Sequence, residues 1–381
     1  MNRRELLQNG IMISAGIACG LGTGVGTHRA SAQENRRGIR CKSWQYDLQL
    51  KHTWTIARGS RDVATVTFFE IECDGITGIG EAAVSTSARY GETRETVMQF
   101  LARVNLEQFD DPMALDVILA QVQAIAPGNQ AAKAAVDMAL HDWIGKKLGV
   151  PLYKLWGLNS RRTPLTTFTI AIDTPEMMMQ KTLEAAEFPV LKIKVGKETD
   201  KENITAIRKV TDKPLRVDAN EGWQTKEIAL ERIKWLEDQG VELIEQPLPT
   251  TMLAETAWLR ERVNMPIYAD ESVKGLSDLV KLKDAFDGIN IKLMKCGGLR
   301  EAQQMIHTAR GLGLKIMMGC MIESSVGISA AAQLSPMIDC ADLDGNLLIA
   351  NDPYSGVKVI QGKLILNDQP GIGVNKAAEK R

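Results

Sequence analysis

Hydrophobic and polar positions follow two rhythms along this chain. From about Lys42 to Gly80 they alternate singly, as in Tyr46-Asp-Leu-Gln-Leu50 and Ala64-Thr-Val-Thr-Phe-Phe-Glu-Ile71, with Gly75 and Gly78 as turn signals. A period of two with one apolar face predicts a small antiparallel sheet. Between Glu92 and Leu148 the period lengthens to that of a helix, and the run Ala131–Leu140 combines strong helix formers with an apolar face. A strand-rich stretch followed by a helix-rich one predicts an α+β unit.

After Pro164 the pattern changes again. Short apolar or β-branched runs recur: TTFTIAI (166–172), VLKIKVG (190–196), PLRVDAN (214–220), ELIEQP (242–247), PIYADES (266–272), GINIKLM (288–294), LKIMMGCM (314–321) and CADLDG (340–345). Segments of helical period lie between them, such as Ile228–Gln239 and Arg300–Gly311. No glycine-rich dinucleotide loop follows the first run. Strands alternating with helices in this way predict a closed parallel barrel, with functional residues at the C-terminal ends of its strands.

Those ends carry charge. Asp218 closes LRVDAN, Glu245 closes LIEQP and Asp270 closes IYADES, each about one strand-helix unit after the last. Singly, such an acid is as well explained by a helix cap or an ion pair. Three in register on one rim would repel one another unless a cation sat among them, and an all-oxygen set suits one Mg²⁺, with Mn²⁺ as a substitute. Lys192 and Lys194 end the second run, and alternation directs both into the barrel mouth. Lys292 ends the sixth run, across the barrel from the second. Lys295 reads instead as a lysine that reaches solvent or pairs with a neighbouring acid.

Composition narrows the field. The 381 residues suffice for a barrel and a smaller partner domain, and 46 basic against 47 acidic residues imply no general attraction to nucleic acid or an anionic membrane. Six scattered cysteines and four histidines offer no thiolate or imidazole metal cluster. At the N-terminus, Arg3-Arg4, a mildly apolar stretch from Ile11 to Val25 and Ala30-Ser31-Ala32 read as a twin-arginine export signal over residues 1–32. The expectation is a periplasmic or otherwise exported protein, free of the membrane after signal removal; the alternative is a cytoplasmic protein with an N-terminal extension. A homo-oligomer is left open.

Taken together, K-x-K at Lys192/Lys194, VDANEGW, IEQP, ADES, INIKLMKCGG and ADLDG resemble the enolase superfamily, in its muconate-lactonizing-enzyme-like subgroup and among the dipeptide epimerases, typified by those acting on L-Ala-D/L-Glu. The resemblance runs from about Lys42 to the end. It implies a (β/α)7β TIM-like barrel with an N-terminal α+β capping domain, divided as 40–160 for the cap, 161–345 for the barrel and 346–381 for a C-terminal segment returning to the cap. It also implies a small-molecule dipeptide substrate and a 1,1-proton transfer through an ene-diolate.

An α-proton beside a carboxylate is far less acidic than an ammonium. A mismatch of ~15 pKa units is ~20 kcal/mol at about 1.36 kcal/mol per unit, so a lysine cannot act alone. The resemblance makes Asp218, Glu245 and Asp270 the metal ligands, Lys194 and Lys292 the opposed bases, and Lys192 a fixed positive charge on the substrate carboxylate. It carries an ammonium-binding role to Asp342 and Asp344, pocket-lining roles to Thr169 and Cys320, and to Arg58, on the capping segment Lys51–Arg61, the role of pairing with a glutamate side chain. Arg61 is the nearest competitor for that last role. For an exported enzyme, L-Ala-D-Glu from murein peptides would be the substrate. The rivals are an N-acylamino-acid racemase, o-succinylbenzoate synthase or muconate cycloisomerase, which need no ammonium site, and a non-catalytic periplasmic binder, which need not keep every base and ligand. A Schiff-base aldolase using Lys192 would leave the three acids unexplained.

Overall fold

The computed structural model describes residues 38–85 and 90–378; the expected export signal lies outside them. The first three strands, β1 (Arg40–Ile56), β2 (Gly59–Cys73) and β3 (Ile76–Ala83), form an antiparallel sheet in chain order. β1 and β2 make a long hairpin whose ladder shifts register between Gln49 and Trp54, resumes with Trp54 opposite Arg61 and closes with Ile56 opposite Gly59. Helices α1 (Arg94–Leu101), α2 (Leu115–Ile125) and α3 (Gln130–Leu148) follow, with a short α4 (Leu152–Leu155).

Glycine sets the closeness of β3 to α3. A Cβ at Gly80 would stand 1.9 Å from the Ala135 carbonyl oxygen, and one at Gly78 would stand 2.1 Å from that of Ala139. The alanine-rich face of α3 presents backbone to backbone there. On its other sides α3 meets the barrel, and every residue from Ala131 to Gly145 is buried. The single apolar face expected from the sequence therefore falls short, because the helix is covered on several sides. Its polar residues are answered individually: Asp137 Oδ1 accepts from the Leu299 amide at 2.5 Å, and Asp142 accepts from the Ile79 and Ile372 amides and from Lys146.

The second half is a strand-helix repeat: β4 (Phe168–Ile170), α5 (Pro175–Glu184), β5 (Leu191–Lys194), α6 (Asp200–Arg208), β6 (Leu215–Asp218), α7 (Lys226–Asp238), β7 (Val241–Glu245), α8 (Leu253–Arg260), β8 (Ile267–Ala269), α9 (Leu279–Leu282), β9 (Gly288–Ile291), α10 (Leu293–Cys296), α11 (Leu299–Gly311), β10 (Lys315–Gly319), α12 (Ser325–Ala332) and β11 (Cys340–Asp342). Each of the eight runs expected to be strands contains one, though the sixth passes into α10 from Leu293. They pair in parallel in the order β4 to β11, and a Thr166–Ala341 bridge joins the two edges. The fold is thus an eight-stranded α/β barrel with seven helical connections, capped by an antiparallel sheet and helices.

Beyond β11 the chain returns to the cap. The Ala350 amide donates to the Gln49 carbonyl, and the Lys51 amide to that of Leu348. Among the described residues no helix is long and apolar enough to cross a membrane.

Candidate active site

Strand register brings the charges together. β5 pairs with β6 so that Lys194 lies beside Asp218, and β6 pairs with β7 so that Asp218 lies beside Glu245. Asp218, Glu245 and Asp270 each offer a carboxylate oxygen within 4.8 Å of the other two, all buried. Hard oxygen donors alone, converging at this spacing, fit Mg²⁺ or Mn²⁺.

The lysines surround this triad. Lys192 Nζ donates to Asp342 at 2.6 Å and Glu245 at 2.7 Å and lies 3.4 Å from Asp218. Lys194 Nζ donates to Asp218 at 2.6 Å, and Lys292 Nζ, just past β9, donates to Asp270 at 2.8 Å. β5 and β9 stand four places apart in an order of eight, so Lys194 and Lys292 come to the triad from opposite walls. Burial works to lower Lys192, but the charges of Asp342, Glu245 and Asp218 outweigh it and hold the ammonium well above its ordinary range. Burial likewise opposes the raised position of Lys292, which Asp270 sustains. Glu245 is pushed up to about 8 by burial and by Asp218, whereas Asp270 is held well below the usual carboxylate range because Lys292 and Lys295 outweigh its burial. Lys295 does pair with an acid, Asp270 at 2.5 Å, but it is buried and does not reach solvent.

The loops that follow the ligands are strained. Asn220 and Glu221 after β6 have φ of 46° and 64°, and Gln246 after β7 has φ of 38°. Left-handed backbone in non-glycine residues persists where surroundings enforce it, and it clusters at functional sites. Gln246 shows the enforcement: its side-chain oxygen accepts from the Asp270 and Ser272 amides, and its nitrogen donates to the Leu248 carbonyl. Asn290 Nδ2 donates to Glu245 at 2.8 Å.

Asp342 and Asp344 form one wall. Thr167 Oγ1 donates to Asp342 at 2.6 Å, and the Thr169 amide donates to Asp344 at 2.6 Å. Burial would raise Asp342, but Lys192 and Lys194 bring it to about 2; Asp344, buried beside Asp342, is raised to about 7. Cys320 Sγ contacts the Asp342 carbonyl at 3.3 Å, and burial drives its thiol upward. Thr169, Cys320, Lys194, Lys292, Asp342, Asp344 and Arg58 all line one pocket.

The β1–β2 hairpin roofs that pocket. The Trp54 ring lies 5.8 Å from Lys194 Nζ, and Arg58 reaches down to the loops after β6 and β8. Sequence reasoning missed Trp54, Tyr90, Gln246, Glu271 and Asn290. Glu271 and Gln246 directly follow ligands, and that adjacency was the available signal; Trp54 lies within the capping segment 51–61, where only the arginines were weighed, and Tyr90 sits in a segment without a signal.

Known proteins resemble this chain over both of its halves. Residues 44–157 match the mandelate racemase/muconate lactonizing enzyme N-terminal domain, and residues 176–380 match the enolase C-terminal domain-like family. The L-Ala-D/L-Glu epimerase of Bacteroides thetaiotaomicron is 49% identical over 98% of this chain and 99% of its own. A substrate-liganded structure of the L-Ala-D/L-Glu epimerase from Bacillus subtilis superposes with a TM-score of 0.84 at 32% identity, covering 90% of this chain and 99% of that one. The dipeptide epimerase of Enterococcus faecalis, solved with Mg and L-Leu-L-Tyr, gives a TM-score of 0.82 at 34% identity over 89% and 99%. The chain belongs to the mandelate racemase/muconate lactonizing enzyme family of the enolase superfamily.

Proposed function

We propose that this member of the family is a Mg²⁺-dependent dipeptide epimerase that inverts the α-carbon of the C-terminal residue, with L-Ala-D-Glu and L-Ala-L-Glu as its substrate pair. The observation that carries the reading is the pair of ammonium groups, Lys194 and Lys292, approaching one carboxylate triad from opposite walls. Inversion needs a base on one face of a carbon and a proton donor on the other, and this arrangement supplies both.

Asp218, Glu245 and Asp270 would hold the metal, which when bound supplies the positive charge that steadies the substrate carboxylate as its α-proton leaves. Lys192, fixed among three acids, adds charge to the same place and stays protonated. Lys194 and Lys292 exchange roles with the direction of reaction: one takes the α-proton and the other returns one from the far side. Asp342 and Asp344 would receive the α-ammonium of the N-terminal residue. That wall discriminates against an N-acylated amino acid, which brings no positive charge to answer it.

Incubating L-Ala-D-Glu with the protein and Mg²⁺ in D₂O should exchange the α-proton of the C-terminal residue and yield the L-Glu epimer. Absence of exchange with every member of a dipeptide panel, with metal bound, would reject the reading. A role in breaking down wall peptides rests on export, for which the support is the N-terminal twin arginine. Activity confined to the cytosol on cell fractionation would count against it.

A further inference from the structure

The stretch Lys292-Leu-Met-Lys295 sets two lysines three residues apart, and the single helical turn α10 closes over them directly after β9. Residues at that spacing face the same way. Both ammonium groups reach one carboxylate: Lys292 Nζ lies 2.8 Å from Asp270 Oδ2, and Lys295 Nζ lies 2.5 Å from Asp270 Oδ1. Their other contacts differ. Among the described residues Lys292 donates to Asp270 alone, and it lines the pocket. Lys295 donates also to the Asp270 carbonyl at 2.6 Å and the Asn290 carbonyl at 3.1 Å, so all three of its protons are engaged. Its side chain is 1% exposed and does not line the pocket.

A buried ion pair is a weak source of stability, because an apolar side chain of the same volume often serves as well. Stability is therefore a poor account of Lys295. The opposite wall repeats the arrangement: Asp218 has the base Lys194 at 2.6 Å and the fixed Lys192 at 3.4 Å. Each ligand that faces a base thus also faces a second lysine anchored by further partners. A carboxylate that met Lys292 alone would hold that ammonium with its whole charge, whereas one shared with Lys295 holds it less tightly. Lys295 grips the side chain and the main-chain carbonyl of Asp270 together, so the carboxylate cannot turn to follow Lys292 when that lysine swings to the substrate α-carbon.

We propose that Lys295 is a positioning residue for the base Lys292: it fixes Asp270 and keeps that carboxylate from holding Lys292 away from the α-carbon. It acts without touching the substrate. The inference rests on the two-base epimerase reading.

The test measures α-proton exchange in D₂O separately for L-Ala-D-Glu and L-Ala-L-Glu with the full-length Mg²⁺-loaded protein. The epimer served by Lys292 is the one whose exchange survives in Lys194→Ala and is lost in Lys292→Ala. In Lys295→Met, which fills a similar space without the charge, exchange of that epimer should fall about 10- to 100-fold relative to the other, the scale set by misplacing a reacting group. Lys295→Gln should show the same bias to a smaller degree. Exchange of the epimer served by Lys194 reports that each variant is folded and loaded with metal. Equal loss for both epimers, an unchanged ratio, or failure of both variants to fold would make Lys295 a core residue alone and overturn the assignment while sparing the epimerase reading. Wild-type exchange of no dipeptide would overturn both.

Discussion

Lys192 and Lys194 are two residues apart, yet their neighbours divide their work. Lys192 sits among Asp342, Glu245 and Asp218 and remains an ammonium. Lys194 has one carboxylate partner, Asp218, with an indole beside it. Lys194→Ala and Lys292→Ala should each slow epimerisation by about 10²- to 10⁴-fold, the range for losing one positioned acid or base. Each variant should still exchange the α-proton of one epimer in D₂O through the surviving lysine, and the exchanging epimer should differ between them. Unchanged turnover in both would refute the two-base scheme, and NMR of the dipeptide reads the result. These residues were legible in the sequence because strand alternation and strand ends are local signals. Gln246, Glu271 and Asn290 were not, because each acts through a partner on another strand or loop, and no local period encodes such a pairing.

At the scale of elements, the barrel strands were legible because each is a short apolar run bounded by turn signals, whereas α3 was only half read. Its composition announced a helix, but its burial on several sides depends on the sheet, the barrel and α1 converging on it. The close approach of β3 to α3 follows from glycines whose meaning appears only with the partner in place. Gly80→Val should force the sheet off the helix, since even a Cβ would meet the Ala135 carbonyl at 1.9 Å and both neighbours are backbone or buried. Overpacking of this kind costs about 1–3 kcal/mol or more. The expected outcome is a Tm lower by several degrees in a thermal melt, whereas the same change at Gly128, where a Cβ meets nothing, should cost only the strain of its φ of 66°.

The stability of the whole molecule can be read at two places. The acid triad of the barrel is one: a cation bound only by the folded state raises stability by mass action, so EDTA should lower Tm and excess Mg²⁺ or Mn²⁺ should restore it, as scanning fluorimetry would show. The other lies at the start of α12, where Glu81 from β3 accepts hydrogen bonds from the Ser324 amide at 2.9 Å, its hydroxyl at 2.5 Å and the Gly327 amide at 3.0 Å. Glu323 is buried beside it and accepts from the Met321 amide at 2.7 Å. Burial pushes Glu81 up to about 7, and burial together with the Glu81 charge pushes Glu323 up to about 8, both from 4.5. An acid whose folded pKa lies above its unfolded value binds more protons in the native state between the two. Its contribution is therefore fully present below about pH 4.5 and lost as pH rises through 7 to 8. Tm should consequently fall more steeply between pH 5.5 and 8.5 in the wild type than in Glu323→Gln, which keeps the neutral shape at every pH. Equal slopes would mean that the two carboxyls do not share this constraint. The loop that carries Glu323 also carries Cys320 and Met321 into the pocket, so a shallower slope in the variant would trace the pH dependence of cap seating to the same segment that walls the substrate.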